Sequence, residues 1–463
     1  MGKYYKPSRY NFFIPESGCG DLLLFNGLRS SLIRMPSGIH PIAQDILSLG
    51  HLNLASITSE IRPLFATLKE GGFMVDADLN EVGIITKRLR RIRESGPLHL
   101  IIAPTLECNL ACKYCYQFRS FGSMTEKVCN QIIGFVGQEL KKGAISSLRV
   151  DWYGGEPLLS PKIISYLSGH FLKLAKRFNC EYEATIATNG TLLNDSAVKL
   201  LMENKVESCQ VTIDGPKEIH DKRRGYKNNK GSSFDRILKN MRRIIGKSDL
   251  SVRINIDMDN IPYAFSLLEI FKEEGFFGKS DTIFSPYMAM VGPINPNRHL
   301  RCMTVSTSTF YKHSLEFQKM AFKLLGRKQL KPLLDFPYPV NAACGALRKN
   351  TYAFDPRGYY FKCGLEIGEH GKECGHASDA IKMGQCKKWD EYNPLDDKQC
   401  LECRYLPFCM GYCPKTKFDC NSFYSSDGCV YWKENLEDII RLYVDAMEEI
   451  KRQNKFNELS VFF

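Results

Sequence analysis

The sequence contains no hydrophobic run long enough to cross a lipid bilayer. Apolar stretches such as 22–25 and 100–103 fall far short of the roughly 20 residues that a membrane-spanning helix needs. The first residues, MGKYYKPSRY, lack the apolar core of a secretory signal, and Lys6 stands where an N-myristoylation motif requires Ser or Thr. The sequence therefore predicts a cytoplasmic protein with no membrane partner.

The sequence also lacks a concentrated block of charge. Hydrophobic residues make up 44% and charged residues 25% of the 463 residues, which excludes a disordered or collagen-like chain and predicts two or three domains. The net charge of +12 is spread along the chain. In the densest basic cluster, 87–93, Leu89 and Ile92 recur at helical spacing, which is typical of a solvent-exposed helix face. We expect no nucleic-acid partner, although the basic face is compatible with an acidic peptide.

Cysteine, by contrast, is abundant, with 18 residues. A reducing cytoplasm disfavours structural disulfides, so that metal or iron–sulfur ligation is the simpler explanation. The spacing of the cysteines decides between metals.

The first 95 residues or so predict a small α+β module. Strands are expected at 11–14, 21–25 and 28–35, with Asn26-Gly27 forming a two-residue type I′ hairpin turn. Helices are expected at 41–49, at 61–68 before Gly71-Gly72, and at 79–94.

From residue 98 onward, β-rich runs alternate with helical patterns. The predicted strands are 98–105, 148–153, 182–188, 209–214, 252–257 and 282–288, and the predicted helices are 124–141, 161–177, 194–203, 233–246 and 262–274. This alternation predicts the α/β class with a parallel sheet, and six units suit a partial (β/α)6 TIM-like barrel whose chemistry lies at the strands' C-terminal ends. The predicted domains are 1–96, the barrel at 97–292, a bridging region at 293–343, a cysteine-rich domain at 344–430, and a C-terminal helix and tail at 431–463.

The first cysteine group comes directly after the first barrel strand. Cys108, Cys112 and Cys115 have the spacing C-x3-C-x2-C. Three thiolates can hold three irons of a cubane cluster and leave the fourth iron open to a small-molecule ligand. A zinc site would require a fourth ligand, and the next candidate, Cys129, lies on a predicted helix.

Polar and glycine motifs follow the next strands. They are Gly154-Gly155-Glu156-Pro157, Thr188-Asn189-Gly190-Thr191, Asp214-Gly215-Pro216 with His220, Asp221, Arg224 and Gly225, and Asn255 within the fifth strand. Glycines let a backbone approach a ligand closely, and a carboxylate accepts hydrogen bonds from an ammonium. With the cysteine triplet and Tyr114, these motifs resemble those of the radical S-adenosylmethionine (SAM) enzymes.

The resemblance implies a role for each motif. Cys108, Cys112 and Cys115 would be the catalytic ligands of a [4Fe-4S] cluster, and Tyr114 would lie against the adenine of SAM. Residues 154–157 would hold the SAM amino group, with Thr188 and Asn189 at the next strand end. Asp214 would lie near the ribose or sulfonium, Arg224 would bind the carboxylate, and Asn255 is a further cofactor contact. The reduced cluster would give one electron to SAM, releasing a 5′-deoxyadenosyl radical that abstracts a substrate hydrogen.

A second cysteine group lies near the C-terminus. Cys400-x2-Cys403-x5-Cys409-x3-Cys413 is followed by Cys429, and Cys344 and Gly358-x4-Cys363 lie upstream. A zinc ribbon or treble clef is one interpretation. The block also resembles the SPASM domain of radical SAM peptide-modifying enzymes, which are related to the anaerobic sulfatase-maturing enzymes. That resemblance implies one auxiliary [4Fe-4S] cluster on Cys400, Cys403, Cys409 and Cys429 and another on Cys344, Cys363 and Cys413, three clusters in all.

This chain departs from the resembled pattern at two places. The usual cysteine shortly before Cys344 is replaced by Pro337-Tyr338-Pro339, so an iron is open or is bound by Cys302, Cys374 or Cys386. Gly364 stands where sulfatase-maturing relatives have an aspartate that acts as a base. The second departure disfavours a sulfatase maturase.

The sequence therefore predicts a radical SAM oxidoreductase that matures a ribosomally made precursor peptide, with formation of a thioether or carbon–carbon crosslink. The N-terminal module resembles a winged-helix element that recognises a leader peptide, and a domain that only supports the barrel is the alternative. A flavodoxin or ferredoxin is the expected reductant. The alternative functions are a maturase that oxidises a residue of a protein substrate, as in sulfatase maturation, and a non-catalytic zinc-stabilised peptide-binding protein.

Overall fold

The computed structural model describes residues 3–16, 18, 20–94, 96–117, 122–143, 145–277, 282–292, 304–324, 336–378, 386–419 and 427–454. The chain divides into two compact units. The terminal unit comprises Met1–Ile92, Asp335–Cys344 and Asn393–Phe463, and the barrel unit comprises Arg93–Leu334 and Gly345–Tyr392. This grouping differs from the five consecutive domains expected from the sequence, because both ends of the chain fall in one unit and segment 344–430 contributes to both. The predicted domain boundaries stay predictions.

The N-terminal part of the terminal unit contains two small antiparallel sheets and three helices. Its elements are β1 (Tyr4–Pro7), β2 (Asn11–Pro15), β3 (Leu22–Asn26), β4 (Ser31–Met35), α1 (His40–Ser48), β5 (Leu52–Asn53), α2 (Arg62–Glu70), β6 (Met74–Asp76) and α3 (Glu81–Glu94). The sheet orders are β5-β1-β6 and β2-β3-β4. A proline in the first turn of both α1 and α2 favours helix initiation, because its fixed φ suits that position and its missing N–H is not needed there.

The predicted two-residue turn at Asn26-Gly27 is wrong, although the hairpin itself is present. Asn26 pairs with Ser31, so residues 27–30 form a longer loop, and the positive φ falls on Ser30, at 59°. Asn26 Oδ1 accepts hydrogen bonds from the backbone N–H groups of Leu28 and Arg29 at 3.1 and 3.0 Å. The asparagine therefore closes the loop through its side chain, a common alternative to adopting the turn conformation itself.

The barrel unit is built on one nine-stranded sheet. Its strands are β7 (Leu98–Ile102), β8 (Ser147–Trp152), β9 (Glu181–Thr188), β10 (Val206–Thr212), β11 (Asp249–Ile256), β12 (Phe284–Met290), β13 (Thr351–Phe354), β14 (Tyr359–Phe361) and β15 (Gly375–His376). The six strands expected from the sequence pair in chain order as the parallel series β12-β11-β10-β9-β8-β7. β13 continues the parallel sheet beyond β7, and β14 and β15 add antiparallel strands. The sequence did not predict this extension.

The barrel unit also contains helices. They are α4 (Glu126–Lys141), α5 (Pro161–Arg177), α6 (Asp195–Glu203), α7 (Lys217–Arg224), α8 (Ser233–Ile244), α9 (Ser266–Glu273), α10 (Thr307–Leu324) and α11 (Lys387–Glu391). Residues of α4, α5, α6, α8, α9 and α10 pack in the core against one face of the sheet. In β8, Leu148, Val150 and Trp152 are buried in the core, so that the alternating Arg149 and Asp151 lie on the opposite face. The strand period of two residues thus gives the sheet a second, polar face.

The C-terminal part of the terminal unit consists of short helices followed by one long helix. These are α12 (Lys398–Glu402), α13 (Leu406–Cys409), α14 (Pro414–Phe418) and α15 (Asp427–Asn454). Phe12 and Phe25 of the N-terminal strands share a core with Phe408, Leu436 and Ile440. The two ends of the chain therefore fold around common apolar side chains. Within the described residues, no helix has both the length and the apolar character needed to span a membrane.

Candidate active site

A cavity of about 630 Å³ opens at the C-terminal ends of the parallel strands in the barrel unit. Ten of the residues predicted from the sequence line it: Cys108, Cys112, Tyr114, Cys115, Gly154, Gly155, Thr188, Asn189, Arg224 and Asn255. The chain fold thus brings together motifs that are far apart in sequence. Glu156, Pro157 and Asp214 lie beside this cavity but do not line it.

Gly154 and Gly155 pack directly against the loop that leads into the first cysteine. The backbone N–H groups of Gly155 and Glu156 donate to the carbonyl oxygens of Thr105 and Glu107 at 3.1 and 2.8 Å. A Cβ on Gly154, where φ is 115°, would lie 2.4 Å from Thr105 O, and one on Gly155 would lie 2.2 Å from Glu107 O. The glycines are therefore required by contact with protein backbone, a reason that the sequence argument, based on ligand approach, did not include.

The carboxylate of Glu156 is fully buried. It accepts hydrogen bonds from the Thr188 hydroxyl at 2.7 Å, the Asn189 backbone N–H at 2.7 Å and the Leu158 N–H at 3.0 Å. Burial raises the pKa of Glu156, and these three donors act against that shift. In this geometry the carboxylate ties the end of β8 to the end of β9. Its predicted contact with the SAM amino group, and that of Pro157 at the start of a buried 3₁₀ turn, stay predictions.

The opposite side of the cysteine loop is held by the segment that follows α7. Backbone hydrogen bonds run from Ala111 to Gly225, from Lys113 to Arg223 and from Lys227 to Asn109, at 2.9, 3.2 and 3.1 Å. Asp221 accepts hydrogen bonds from Ser233 and Phe234 at the start of α8, both at 2.9 Å. The predicted Asp-Gly-Pro to Arg-Gly motif therefore also positions the cysteines.

Asn189 contacts the first cysteine itself. Its Nδ2 donates to Cys108 Sγ at 3.5 Å and to Asn109 Oδ1 at 2.8 Å, while its Oδ1 accepts from the backbone N–H and the hydroxyl of Thr191 at 2.9 and 2.7 Å. Hydrogen bonds to ligand sulfurs orient them and tune a cluster. The side chain of Asn189 is thus hydrogen-bonded to the sulfur of Cys108, and its predicted contact with SAM stays a prediction.

Tyr114, Asp214 and Asn255 form one hydrogen-bond network. The Tyr114 hydroxyl donates to Asp214 and accepts from Asn255 Nδ2 at 3.0 Å. The other Asp214 oxygen accepts from the Asn255 backbone N–H at 3.0 Å. Burial raises the pKa of Tyr114 well above its usual value, so the phenol is neutral. The contacts of Tyr114 with adenine and of Asp214 with the ribose stay predictions.

Arg224 lines the cavity and carries one buried donor without a partner among the described residues. Its Nη1 donates to the Tyr114 hydroxyl at 2.5 Å, whereas its buried Nε has no hydrogen-bond partner within the described chain. Although burial lowers the pKa of Arg224, nearby Cys112, Tyr114 and Asp214 raise it well above its usual value. A permanent cation with a spare N–H fits an anionic ligand such as the carboxylate of SAM.

Cys108 and Cys112 are thiols in this state. Burial raises the pKa of Cys108 and raises that of Cys112 to about 11, although Arg224 lowers the pKa of Cys112. Iron must therefore displace protons as it binds, which is the normal coupling between metal affinity and thiol ionisation. Three cysteines on one braced loop at the mouth of a cavity fit the [4Fe-4S] cluster that the sequence predicts.

The C-terminal cysteines are divided between the two units. Cys344, Cys409 and Cys413 line a cavity of about 370 Å³ in the terminal unit, with aromatic walls that include Phe408 and Trp432. Cys400, Cys403 and Cys429 belong to the same unit, and Cys363 belongs to the barrel unit. Both auxiliary ligand sets stay predictions. Among the described residues, no three His, Cys, Asp or Glu side chains converge on a site for a single metal ion.

The three candidates for the missing auxiliary ligand differ in location. Cys302 lies outside the described residues. Cys374 and Cys386 are buried in the core of the barrel unit, and a hydrogen bond between them raises the pKa of Cys374.

The sequence argument missed the polar residues that line the rest of the cavity. Arg149, Asp151, Thr185, Gln210 and Arg253 alternate with core residues on neighbouring strands. That alternation was the available signal. Sequence alone did not show which face of the sheet encloses the cavity.

The chain is similar in sequence to known radical SAM proteins. Residues 102–257 match the model of the radical SAM superfamily. The chain is 24% identical over 342 residues to a cysteine-type anaerobic sulfatase-maturating enzyme of Clostridium novyi, covering 69% of this chain and 88% of that protein. A serine-type enzyme of Bacteroides thetaiotaomicron is 31% identical over 149 residues, 29% of this chain and 34% of that protein.

Two solved structures share the fold. Native anSMEcpe with bound AdoMet has a TM-score of 0.56 at 20% identity, covering 76% of this chain and 100% of that chain. Streptococcus suis SuiB has a TM-score of 0.50 at 14% identity, covering 90% and 97%. The family and fold predicted from the motifs are confirmed to this extent: the chain carries a radical SAM domain in an α/β fold and is related to the anaerobic sulfatase-maturating enzymes.

Proposed function

We propose that this chain is a radical SAM enzyme that modifies a ribosomally made precursor peptide by forming a thioether or carbon–carbon crosslink. The proposal rests on one cavity. Cys108, Cys112, Cys115 and Arg224 line one part of it, and the cavity continues into a polar region formed by side chains of the strands. This arrangement supports one site for a cluster, SAM and a substrate residue.

The chain's own residues would divide the work of binding. The three cysteines would hold the cluster, Asn189 would orient Cys108 through its N–H to sulfur contact, and the Arg224 guanidinium would hold the SAM carboxylate. When bound, the cluster and SAM together supply a 5′-deoxyadenosyl radical that abstracts a hydrogen atom. The hydrogen bonds on both sides of the cysteine loop keep these groups in fixed positions, which is the protein's main contribution to such chemistry.

A peptide substrate is supported by the relatives and by the cavity. One solved structure with this fold is native anSMEcpe with bound AdoMet and the Cp18Cys peptide. The cavity extends beyond the cysteines to Arg149, Gln210 and Arg253, which leaves room for a substrate side chain beside the cofactor. We propose that the N-terminal module recognises a leader peptide as an added strand on the sheet β5-β1-β6. β5 and β6 are the outer strands of that sheet, and an outer strand has backbone groups that can pair with a peptide.

A second candidate is a maturase that oxidises a residue of a protein substrate, as in sulfatase maturation. The names of the relatives favour it, whereas Gly364 supplies no carboxylate at the place of the expected base. A Cβ at Gly364 would lie 3.6 Å from the Ile101 side chain, an ordinary contact. The identity of the substrate decides between the two candidates.

The first test is reductive SAM cleavage by anaerobically reconstituted protein. The wild type is expected to contain iron and acid-labile sulfide and to form 5′-deoxyadenosine with dithionite. Cys108→Ala/Cys112→Ala/Cys115→Ala should reduce 5′-deoxyadenosine to background while auxiliary iron remains. Cys180→Ala, outside both cysteine groups, is the matched control and should behave as the wild type. Undiminished cleavage in the triple variant, or a preparation containing only zinc, would contradict the proposal.

The second test compares substrates. Short peptides encoded next to the gene and a sulfatase-derived peptide are each incubated with SAM and reductant, and the products are analysed by tandem mass spectrometry. A crosslink removes two hydrogen atoms and joins two residues, so fragmentation stops between them. Oxidation of the sulfatase peptide alone would favour the second candidate.

A further inference from the structure

The cavity has a second polar region below the cysteine loop, in the part that the proposed function leaves for a substrate side chain. It is formed by side chains that precede the strand ends: Arg149 and Asp151 on β8, Thr185 on β9, Gln210 on β10 and Arg253 on β11. These side chains differ in whether their charge is balanced by protein groups.

The negative charge in this region is balanced by neighbouring protein groups. Asp151 is the only carboxylate among the described residues that line the cavity. Its Oδ2 lies 2.7 Å from His99 Nε2, and its Oδ1 accepts from Arg149 Nε at 3.2 Å and from the Thr185 hydroxyl at 2.9 Å. Although burial raises the pKa of Asp151, these partners lower it below its usual value. Asp151 is thus an ionised group whose charge is balanced by Arg149.

The guanidinium of Arg253, in contrast, forms no ion pair with a carboxylate of the described residues. Its Nε donates to Asn255 Oδ1 at 2.8 Å, which fixes the plane of the guanidinium. Its two terminal nitrogens have no hydrogen-bond acceptor within the described chain. The nearby hydroxyls of Tyr116 and Tyr153 hydrogen-bond to each other, and burial raises both of their pKa values, so neither supplies a negative charge.

A second fixed donor lies on the next strand. The Tyr287 hydroxyl donates to Gln210 Oε1 at 2.6 Å, which leaves the amide N–H groups of Gln210 for the cavity. Tyr287 pairs with Arg253 in the register of β11 and β12, so the three side chains lie on adjacent strands. A planar guanidinium with a neighbouring amide donor is suited to a carboxylate.

We propose that Arg253, assisted by Gln210, binds a carboxylate of the peptide substrate, namely the side chain of an Asp or Glu close to the residue that is modified. This inference rests on the proposed function and specifies its substrate class. Arg253 is then a specificity-determining residue. Its partner is distinct from the SAM carboxylate, for which Arg224 supplies the donor.

The test uses the full reconstituted chain and a library of N-acetylated, C-amidated heptapeptides present in Glu and Gln pairs. Equilibrium dialysis followed by mass spectrometry gives the ratio of retained Glu to Gln members. We expect a ratio of about ten for the wild type, since a hydrogen-bonded ion pair of this kind contributes about one power of ten in affinity. Arg253→Gln should lower the ratio to about one, and Arg253→Lys should keep part of the preference because it retains the charge.

Arg242→Gln is the matched control, because Arg242 is an exposed arginine paired with Glu274 and lies outside the cavity; its ratio should equal that of the wild type. Gln210→Leu provides a second variant that should lower the ratio without removing a charge. A separate set of the Gln peptides with a free C-terminus distinguishes an α-carboxylate from a side-chain carboxylate, since retention of that set as strong as that of the amidated Glu members would contradict a side-chain partner. A wild-type ratio near one, or an unchanged ratio in Arg253→Gln, overturns the inference.

SAM binding and reductive cleavage are measured on the same preparations. Failure of the wild type to cleave SAM overturns the proposed function but leaves the dialysis ratio readable. If Arg253→Gln weakens SAM binding while the Glu to Gln ratio stays unchanged, Arg253 serves the cofactor and the substrate inference is abandoned.

Discussion

The two units hold their cysteines in different ways. In the barrel unit, Cys108, Cys112 and Cys115 lie on a loop that is hydrogen-bonded through its backbone to two other segments, next to a large apolar core. In the terminal unit, Cys400, Cys409 and their neighbours lie on or between the helices α12, α13 and α14, none longer than five residues.

This difference indicates different roles for metal in folding. Helices of one turn are unstable by themselves, because nucleation fixes several residues for a single hydrogen bond. Where short elements carry metal ligands, metal binding supplies part of the folding free energy. We therefore expect the barrel site to form before its cluster binds, and the cysteine segment of the terminal unit to depend on its cluster.

The largest expected effect concerns the cysteine segment of the terminal unit. Its absence would contradict the difference between the two units. Cys400→Ala/Cys409→Ala should increase proteolysis within 393–419 at least tenfold, because loss of a structural metal costs several kcal/mol. The matched variant Cys108→Ala/Cys112→Ala/Cys115→Ala should leave proteolysis of the barrel unit unchanged. Limited proteolysis with peptide mapping by mass spectrometry measures both. Equal protection of both segments in both variants would show that neither depends on metal.

A smaller effect is expected from a substitution at a glycine that packs against the cysteine loop. Gly155→Ala should lower iron at the first triplet and SAM cleavage about tenfold or more, since a near-attack geometry tolerates little displacement and the new Cβ would lie 2.2 Å from Glu107 O. Iron content and 5′-deoxyadenosine formation are the readouts.

Gly134→Ala is the control for this substitution. Gly134 lies within α4, and a Cβ there meets nothing within 4 Å. That variant should keep full activity and gain up to about 1 kcal/mol of stability, as expected for replacing an exposed helical glycine. Normal iron and cleavage in Gly155→Ala would mean that the contact with Glu107 relaxes without moving the cysteines.

The smallest effect concerns pH. His220 is fully buried, its Nδ1 accepts from the Asp214 backbone N–H at 3.2 Å, and burial, with Arg224 and Arg223, holds its pKa well below the usual value. The folded state therefore keeps His220 neutral, while the unfolded chain takes up a proton below about pH 6.5. Stability contributed by this group is present above that pH and is lost as the pH falls.

His220→Asn should remove this dependence while preserving an acceptor for Asp214. Between pH 7.5 and 5.5, the free energy of unfolding of the wild type should fall by about 1.4 kcal/mol more than that of the variant. Chemical denaturation at both pH values measures the difference. Parallel pH profiles would show that His220 titrates normally.

Much of the barrel unit could be predicted from the sequence, because its core imposes a regular pattern. The six strands of the parallel series and the helices α4, α5, α6, α8 and α9 were all expected. Helix α7, with its charged sequence KEIHDKRR, was missed because it has few apolar residues. β13 was missed because its partner, β7, lies about 250 residues earlier in the chain, and no local signal specifies such a pairing.

The candidate site shows the same division. Cysteine spacing indicated an iron–sulfur cluster, since ligand number and separation are properties of a short segment, and SAM chemistry followed from the resemblance of the cysteine triplet, Tyr114 and the strand-end motifs to the radical SAM enzymes. The burial and the hydrogen-bond partners of Glu156 and Asp214 could not be predicted from a short segment. Each carboxylate was expected to contact SAM, yet each is buried and hydrogen-bonded to groups on other strands. The partners of a buried polar group are chosen by the fold.

The sequence by itself therefore indicated the radical SAM domain and the order of the barrel strands, and it predicted the cysteines that would hold a cluster. Only the tertiary structure decided which glycines contact backbone, which carboxylates are buried, and that Arg253 enters the cavity with terminal nitrogens that the described chain leaves unpaired. The physical reason is that cysteine ligation and apolar periodicity act over a few residues. Hydrogen-bond satisfaction and charge balance depend on side chains that only folding brings together.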